Sequence, residues 1–402
     1  MEFETANRIQ SVQEYYFSKK LREIAQMNQK SNRKVINLGI GSPDLPPHPK
    51  VIETLQQSAA NPQHHAYQSY RGIPALREAI AHWYAQKFQV TLEPSHEVLP
   101  LMGSKEGIMH ISMTYLNPGD EVLIPNPGYP TYAAVTKLAE AHAIPYALEA
   151  ENNWLPDLAE LEKRDLSKVK LMWVNYPHMP TGTAVSPSFF KELVAFAKRN
   201  HILLCNDNPY SFILNEHPQS ILSIEGAKEV AIELNSLSKS HNMAGWRVGA
   251  LLGKAEIINE IVKFKTNMDS GMYLPVQEAA VVALGLTDDW YASLNQVYAQ
   301  RREKVWKMLD VLNCSYAKNQ VGMFVWAKIS DDWSKALTLS NHFLYEAHVF
   351  ITPGFIFGNR GDRYIRISLC NTIEVFEEAL ERIQCLPRWE ERDSVFELAK
   401  HQ

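Results

Sequence analysis

Lys239 stands in the run Ser236-Leu237-Ser238-Lys239-Ser240-His241-Asn242-Met243-Ala244-Gly245-Trp246-Arg247-Val248-Gly249. The segment gathers one amine, two nearby hydroxyls at Ser236 and Ser238, a guanidinium and a glycine-bearing turn. An amine forms a Schiff base with an aldehyde, and hydroxyls with a guanidinium hold a phosphate. A cofactor that carries both groups is pyridoxal 5′-phosphate (PLP), whose chemistry is that of amino groups.

Other residues of the same kind lie at the ends of apolar runs. In parallel α/β sheets, ligands bind outside the carboxyl ends of the strands. Asp207 follows the run 202–206, and Tyr210 comes three residues later. Asn175 ends another run and opens Asn175-Tyr176-Pro177-His178-Met179-Pro180-Thr181-Gly182. Gly103-Ser104-Lys105-Glu106-Gly107 lies between an apolar run and a helical pattern, where backbone N–H groups can face a phosphate at a helix N-terminus. Each has an ordinary structural reading when taken alone. A glycine turn is common, Asp207 could cap a helix, and Tyr129 could be simple core packing. A single arginine such as Arg366, in a strand near the C-terminus, is usually a solvated edge residue. The occurrence of all of them in this order favours a site.

The elements that must carry these residues can also be read. Short, nearly unbroken apolar runs at 121–125, 169–175, 202–206, 231–234 and 248–252 alternate with helical patterns. Strands of that kind belong to sheets covered on both faces, so the chain is α/β with a mostly parallel sheet. One helix begins at Pro74 and carries Leu76, Ile80, Trp83, Tyr84 and Phe88 at helical spacing. Three regions follow. Residues 1–45 form an arm, with a helical piece around 15–27 and a turn at 39–44, that joins a smaller domain. Residues 46–285 form the large domain. Residues 286–402 form the smaller α+β domain, with helices at 290–312 and 333–348 and a strand at 364–368. Its last helix starts from Thr372, with Asn371 and Glu374 at capping-box spacing.

Composition narrows the class. The chain has 402 residues, 46% hydrophobic and 21% charged, with a net charge of −5. That suits a soluble protein with a large core in two domains. No long basic run suggests nucleic acid, and no apolar run approaches the roughly 18 residues of a membrane span. The first residues lack a basic stretch followed by an apolar one, so no signal peptide is expected. Cys205, Cys314, Cys370 and Cys385 include no CxxC pair. They read as reduced thiols of a cytoplasmic protein, with neither zinc nor disulfides.

On its motifs the chain resembles the class I/II aminotransferases of PLP fold type I, over nearly its full length from about Asn37. The motifs are Tyr67 five residues before Gly72 with Leu76-Arg77 following, Gly103-Ser104-Lys105 and Asn126-Pro127-Gly128-Tyr129-Pro130. Pro180-Thr181-Gly182, Asp207 with Tyr210, the Lys239 segment and Arg366 complete them. The resemblance implies a mostly parallel seven-stranded sheet in the large domain. It also implies that Lys239 binds the cofactor aldehyde and then moves the substrate proton. Asp207 would face the pyridine nitrogen, Tyr210 the phenolate oxygen, and Tyr129 the ring. Gly103, Ser104, Lys105, Ser236, Ser238 and Arg247 would hold the phosphate, joined by Tyr67 of a second subunit in a homodimer. Arg366, with Gly41 and Ile40 beside it, would bind the substrate α-carboxylate. A ping-pong exchange between an amino acid and a 2-oxo acid follows.

One position departs from the pattern. Where the family has asparagine before Pro-Thr-Gly, this chain has Met179, and a thioether cannot donate a hydrogen bond. Asn175, four residues earlier, belongs to the same motif. Specificity is expected in the arm near Tyr15, Tyr16 and Ile40 and in loops near Tyr129 and 268–273. The aromatic arm favours a neutral aromatic or sulfur-containing substrate. A second arginine for a dicarboxylic substrate could be Arg33 or Arg71. A PLP-dependent β-lyase and a non-catalytic protein of the same fold are the competing readings.

Overall fold

The structure is a computed structural model that describes residues 3–386. A two-residue strand, β1 (Ile36–Asn37), precedes seven strands of one sheet. These are β2 (Val98–Leu101), β3 (Glu121–Asn126), β4 (His142–Ala147), β5 (Val169–Val174), β6 (Leu203–Asp207), β7 (Ala231–Ser236) and β8 (Gly249–Leu252). Their spatial order is β2-β8-β7-β6-β5-β3-β4. All run parallel except β8, which is antiparallel to both β2 and β7.

The central strands read as sheet interior because both of their faces are covered. Every residue of β7 is buried, as are all but one each of β5 and β6. Trp173 on β5 and Phe190 and Phe196 on the adjoining helix Pro187–Asn200 are fully enclosed. Each such side chain contributes on the order of 1.5–3 kcal/mol by leaving water. Ser186 starts that helix by accepting from the Phe189 N–H, and Pro187 occupies its first turn, where no N–H is needed.

Five further strands follow: β9 (Ser315–Tyr316), β10 (Phe324–Lys328), β11 (Val349–Phe350), β12 (Thr352–Pro353) and β13 (Tyr364–Ser368). Four of them make a second sheet, in the order β12-β13-β10-β9. β1 pairs in parallel with β11, which ties the N-terminal arm to this part of the chain. The turn after β1 is fixed by a forked ion pair. Arg301, on the long helix Asp288–Val311, donates to both Asp44 oxygens at 2.7 and 2.6 Å.

The structure revises several details of the sequence reading. β2 and β4, which end the sheet on either side, were absent from the expected strands. The expected helix at 333–348 is a shorter helix, Ala336–His342, continued by a wider π-type turn to Ala347. The last helix, Ile373–Gln384, has Thr372 at its N-cap position, with no side-chain bond to a first-turn N–H, so the expected capping box is not formed. Asn371 instead donates to the Asn37 carbonyl and helps to hold the arm. Residues 387–402 of the expected smaller domain lie outside the described residues.

Candidate active site

The carboxyl ends of the parallel strands, and the residues just before β8, gather the predicted groups at one edge of the sheet. The reversal of β8 has a purpose here, because it brings Arg247 to the edge where β7 delivers Ser236, Ser238 and Lys239. A cavity of 330 Å³ is lined there by Ile40, Gly41, Ser104, Lys105, Tyr129, Asn175, Asp207, Tyr210, Ser236, Ser238, Lys239, Arg247 and Arg366. Tyr15, Phe17 and Leu21 of the arm, with Met179 and Phe324, complete the apolar part of the wall.

The phosphate-binding candidates form one cluster. Ser236 Oγ donates to Ser238 Oγ at 2.9 Å and accepts from the Ser238 N–H, which starts the short helix Leu237–Ser240. Arg247 Nη1 reaches Ser238 Oγ at 3.4 Å and the Ala244 carbonyl at 2.8 Å. The helix Ser104–Tyr115 points its first N–H groups at the same place. Gly103 lies behind them rather than in the lining. Its φ is +88°, and a Cβ there would collide with the Arg247 guanidinium, so only glycine fits.

Asp207 is buried at the end of β6. Tyr132 donates its hydroxyl to Oδ2 at 2.9 Å, while Oδ1 has no partner. Burial raises the carboxyl to about 6, against the opposing pull of the Tyr132 bond. Behind it lies a second buried carboxylate, Glu233. That group accepts from Tyr84, Ser220 and Asn206, each at 2.8 Å, and from the Ile221 N–H at 3.1 Å. Tyr132 and Glu233 escaped the sequence reading, because nothing local marks their partners: Asp207 lies 75 residues from Tyr132, and Tyr84 lies 149 from Glu233.

Lys239 Nζ donates to the Gly41 carbonyl at 2.6 Å. Burial lowers its pKa to about 8, and Arg366 and Arg247 push in the same direction. A larger share of neutral amine, the form that attacks an aldehyde, is therefore present near neutral pH than for a free lysine.

Arg366 on β13 is buried with no carboxylate beside it among the described residues. Nη2 donates to the Gly39 carbonyl at 2.7 Å, Nη1 meets the Met179 sulfur at 3.3 Å, and Nε is unpartnered. Phe324 stacks under the guanidinium, 3.9 Å from ring centre to Cζ. Burial lowers its pKa to about 10. A buried cation left in this state is poised for an anion.

Three expectations fare differently. Asn175 lines the cavity, but its amide donates to the Asp207 carbonyl and accepts from the Met179 N–H, so it braces the loop. Tyr67 is 90% exposed and does not reach the cavity of its own chain. Arg33 is exposed and Arg71 bonds Asn259, so neither lines the cavity.

Below the Gly103 turn, Glu106, His110 and Asp269 converge, and Lys265 Nζ sits on both Asp269 oxygens at 2.8 and 2.7 Å. Both side chains of that pair are almost fully buried. Asp269→Asn should therefore destabilise the protein by about 3–5 kcal/mol, because it strands a buried ammonium. Urea unfolding of the variant and of Asp269→Asn/Lys265→Met together provides the check, with recovery expected in the double variant.

Comparison with known proteins agrees with this geometry. The family model for aminotransferase class I and II matches residues 33–383. The LL-diaminopimelate aminotransferase of Aquifex aeolicus is 38% identical over 392 residues, 96% of this chain and 99% of that protein. The enzyme of that name from Dehalococcoides mccartyi (strain ATCC BAA-2266 / KCTC 15142 / 195) is 38% identical over 380 residues, 94% and 97% of the two chains. Substrate-bound BacF from Bacillus subtillis superposes with a TM-score of 0.91 at 36% identity, covering 96% of this chain and 98% of its own. Thermus thermophilus aspartate aminotransferase with maleate gives 0.88 at 22% identity, covering 95% and 99%, a likeness of fold. This chain belongs to the class I and II aminotransferases. It is a PLP-dependent aminotransferase of fold type I that exchanges amino and 2-oxo acids. The cavity suits that cofactor: Asp207 Oδ1 lacks a partner, a hydroxyl–guanidinium cluster lies at one end, and a lysine of lowered pKa lines the wall.

Proposed function

We propose that Lys239, Asp207 and Arg366 carry the reaction of a homodimeric cytoplasmic aminotransferase. The observation that supports this most is the meeting of an activated amine, a half-satisfied carboxylate and an unpaired guanidinium in one cavity. Bound PLP supplies the electron sink that lets the substrate Cα–H bond break. The backbone of Ser104 and Lys105 and the side chains of Ser236, Ser238 and Arg247 hold its phosphate, with Gly103 leaving room for the arginine. Asp207 keeps a proton on the pyridine nitrogen, Tyr210 serves the phenolate oxygen, and Tyr129 and Asn175 frame the ring.

Arg366 binds the α-carboxylate of either substrate by its planar fork, with Gly41 and Ile40 alongside. That contact would turn the Cα–H bond toward Lys239 Nζ, the amine placed to take that proton. The closing arm residues Tyr15 and Phe17 keep water out. Exposed Tyr67 reaches the phosphate of a second subunit, which is why the site needs a dimer. The chain then divides into an arm (1–45), a large domain (46–285) and a small domain (286–402), a division favoured by the separation of the seven-stranded sheet from the four-stranded one.

For the amino donor, the names of the relatives point to LL-diaminopimelate. Lys105 supports a donor with a second carboxylate. Its ammonium lies over the Tyr15 ring at 5.3 Å, with no carboxylate partner among the described residues. The aromatic wall of Tyr15, Phe17 and Phe324 favours the second reading, a neutral aromatic or sulfur-containing donor. Rates with LL-diaminopimelate, phenylalanine and methionine against 2-oxoglutarate decide between them. LL-diaminopimelate should give the highest kcat/KM, and Lys105→Met should lower that value alone. Faster turnover of phenylalanine or methionine would overturn the first reading.

A further inference from the structure

We propose that Tyr132 is a positioning residue for Asp207, whose phenol fixes how firmly that carboxylate keeps its charge toward the cofactor's pyridine nitrogen. The proposal rests on the assignment of Asp207 given above. Tyr132 lies in the first turn of the helix Pro130–Leu138 and is buried. Its ring stacks flat on Trp173 of β5, with centroids 5.0 Å apart and planes 5° from parallel. Tyr129 meets it edge-on at 5.6 Å. So clamped, the ring has little freedom, and its hydroxyl falls 2.9 Å from Asp207 Oδ2.

That hydroxyl makes the only side-chain hydrogen bond to the carboxylate among the described residues. The other titratable groups facing Asp207 are Tyr129, Tyr210 and the Glu233 carboxylate on β7. Burial, and to a lesser degree Glu233, favours the neutral acid, and Tyr132 alone opposes them. A phenol suits this task because burial and the adjacent carboxylate push its own pKa up, so it stays a donor. With Oδ2 engaged, the partnerless Oδ1 is the oxygen left to face a cationic nitrogen.

The sign of the effect can be worked out. Cofactor affinity should fall as pH drops through the pKa of Asp207 in the cofactor-free site, because a proton must then be displaced. Loss of a donor to the carboxylate raises that pKa. The test is the PLP dissociation constant of the full-length protein, measured by absorbance across pH for native, Tyr132→Phe and 3-fluorotyrosine-132 forms. Tyr132→Phe should move the midpoint up by about one unit, weakening binding about tenfold at pH below it. The fluorinated phenol fills nearly the same space and donates more strongly, so it should move the midpoint down. Opposite shifts would not come from a merely structural role, which lowers affinity evenly across pH. A midpoint unmoved in both forms overturns the role of Tyr132. Neutral Lys239 is also needed for aldehyde attack and gives its own limb at about 8, so the decisive region is the lower one: a limb near 6 that persists in Asp207→Asn overturns the assignment of Asp207 itself.

Discussion

Lys239→Ala is expected to lower kcat by about 10⁴-fold, the upper range for a positioned acid–base group. That corresponds to roughly 5.5 kcal/mol of barrier. The reason lies in the cavity wall. Lys239 is the one amine of depressed pKa there that also points away from the hydroxyl–guanidinium cluster, toward the Gly41 carbonyl beside Arg366. No other lining residue offers a neutral base at that spot. Lys105, the nearest alternative amine, is turned to the arm over Tyr15. Steady-state rates with a good donor check this, and a loss smaller than tenfold would assign the proton transfer elsewhere. KM should change far less than kcat, because the carboxylate contact is untouched.

Arg366→Leu should reduce kcat/KM by about 10²- to 10⁴-fold, or 3–5 kcal/mol, as expected when one partner of a buried charged pair is removed. Both the amino donor and the 2-oxo acceptor should suffer, since both present the same α-carboxylate to this residue. Without substrate the guanidinium has one carbonyl, one thioether and stacked rings for company. A buried cation so poorly matched costs stability, and leucine keeps the contact with Phe324. The variant should therefore melt no lower than the native protein while losing activity. A thermal melt beside the kinetics separates this outcome from a simple folding defect. Equal KM values in native and variant enzymes would show that the carboxylate binds elsewhere.

The legible parts of the site were those delivered by strand ends. Asp207, Lys239 and Asn175 each follow an apolar run, so position along the chain already hinted at position on the sheet edge. Arg366 was readable through its place in a late motif, yet its aromatic cage of Phe17, Phe324 and Phe357 was not, because the rings come from three distant segments. Tyr132 and Glu233 were missed for the same reason. The two strands of the seven-stranded sheet that were overlooked are its outermost, and each contains a proline, Pro100 in β2 and Pro145 in β4. Proline is tolerated at sheet edges but demotes a run when read alone. The reversal of β8, which presents Arg247, depends on pairing with β2 and β7 and has no local signal. Met179 was read as a lost donor to the cofactor. In the structure its sulfur lies against Arg366 Nη1, which links that departure to the carboxylate site as well.

The most direct test asks which amine the cofactor joins. Holoenzyme treated with borohydride, digested and analysed by mass spectrometry should carry the phosphopyridoxyl group on Lys239, in the peptide that contains Ser236 and Ser238. The group on Lys105 or another lysine, or its complete loss on unfolding, would contradict the assignment of Lys239.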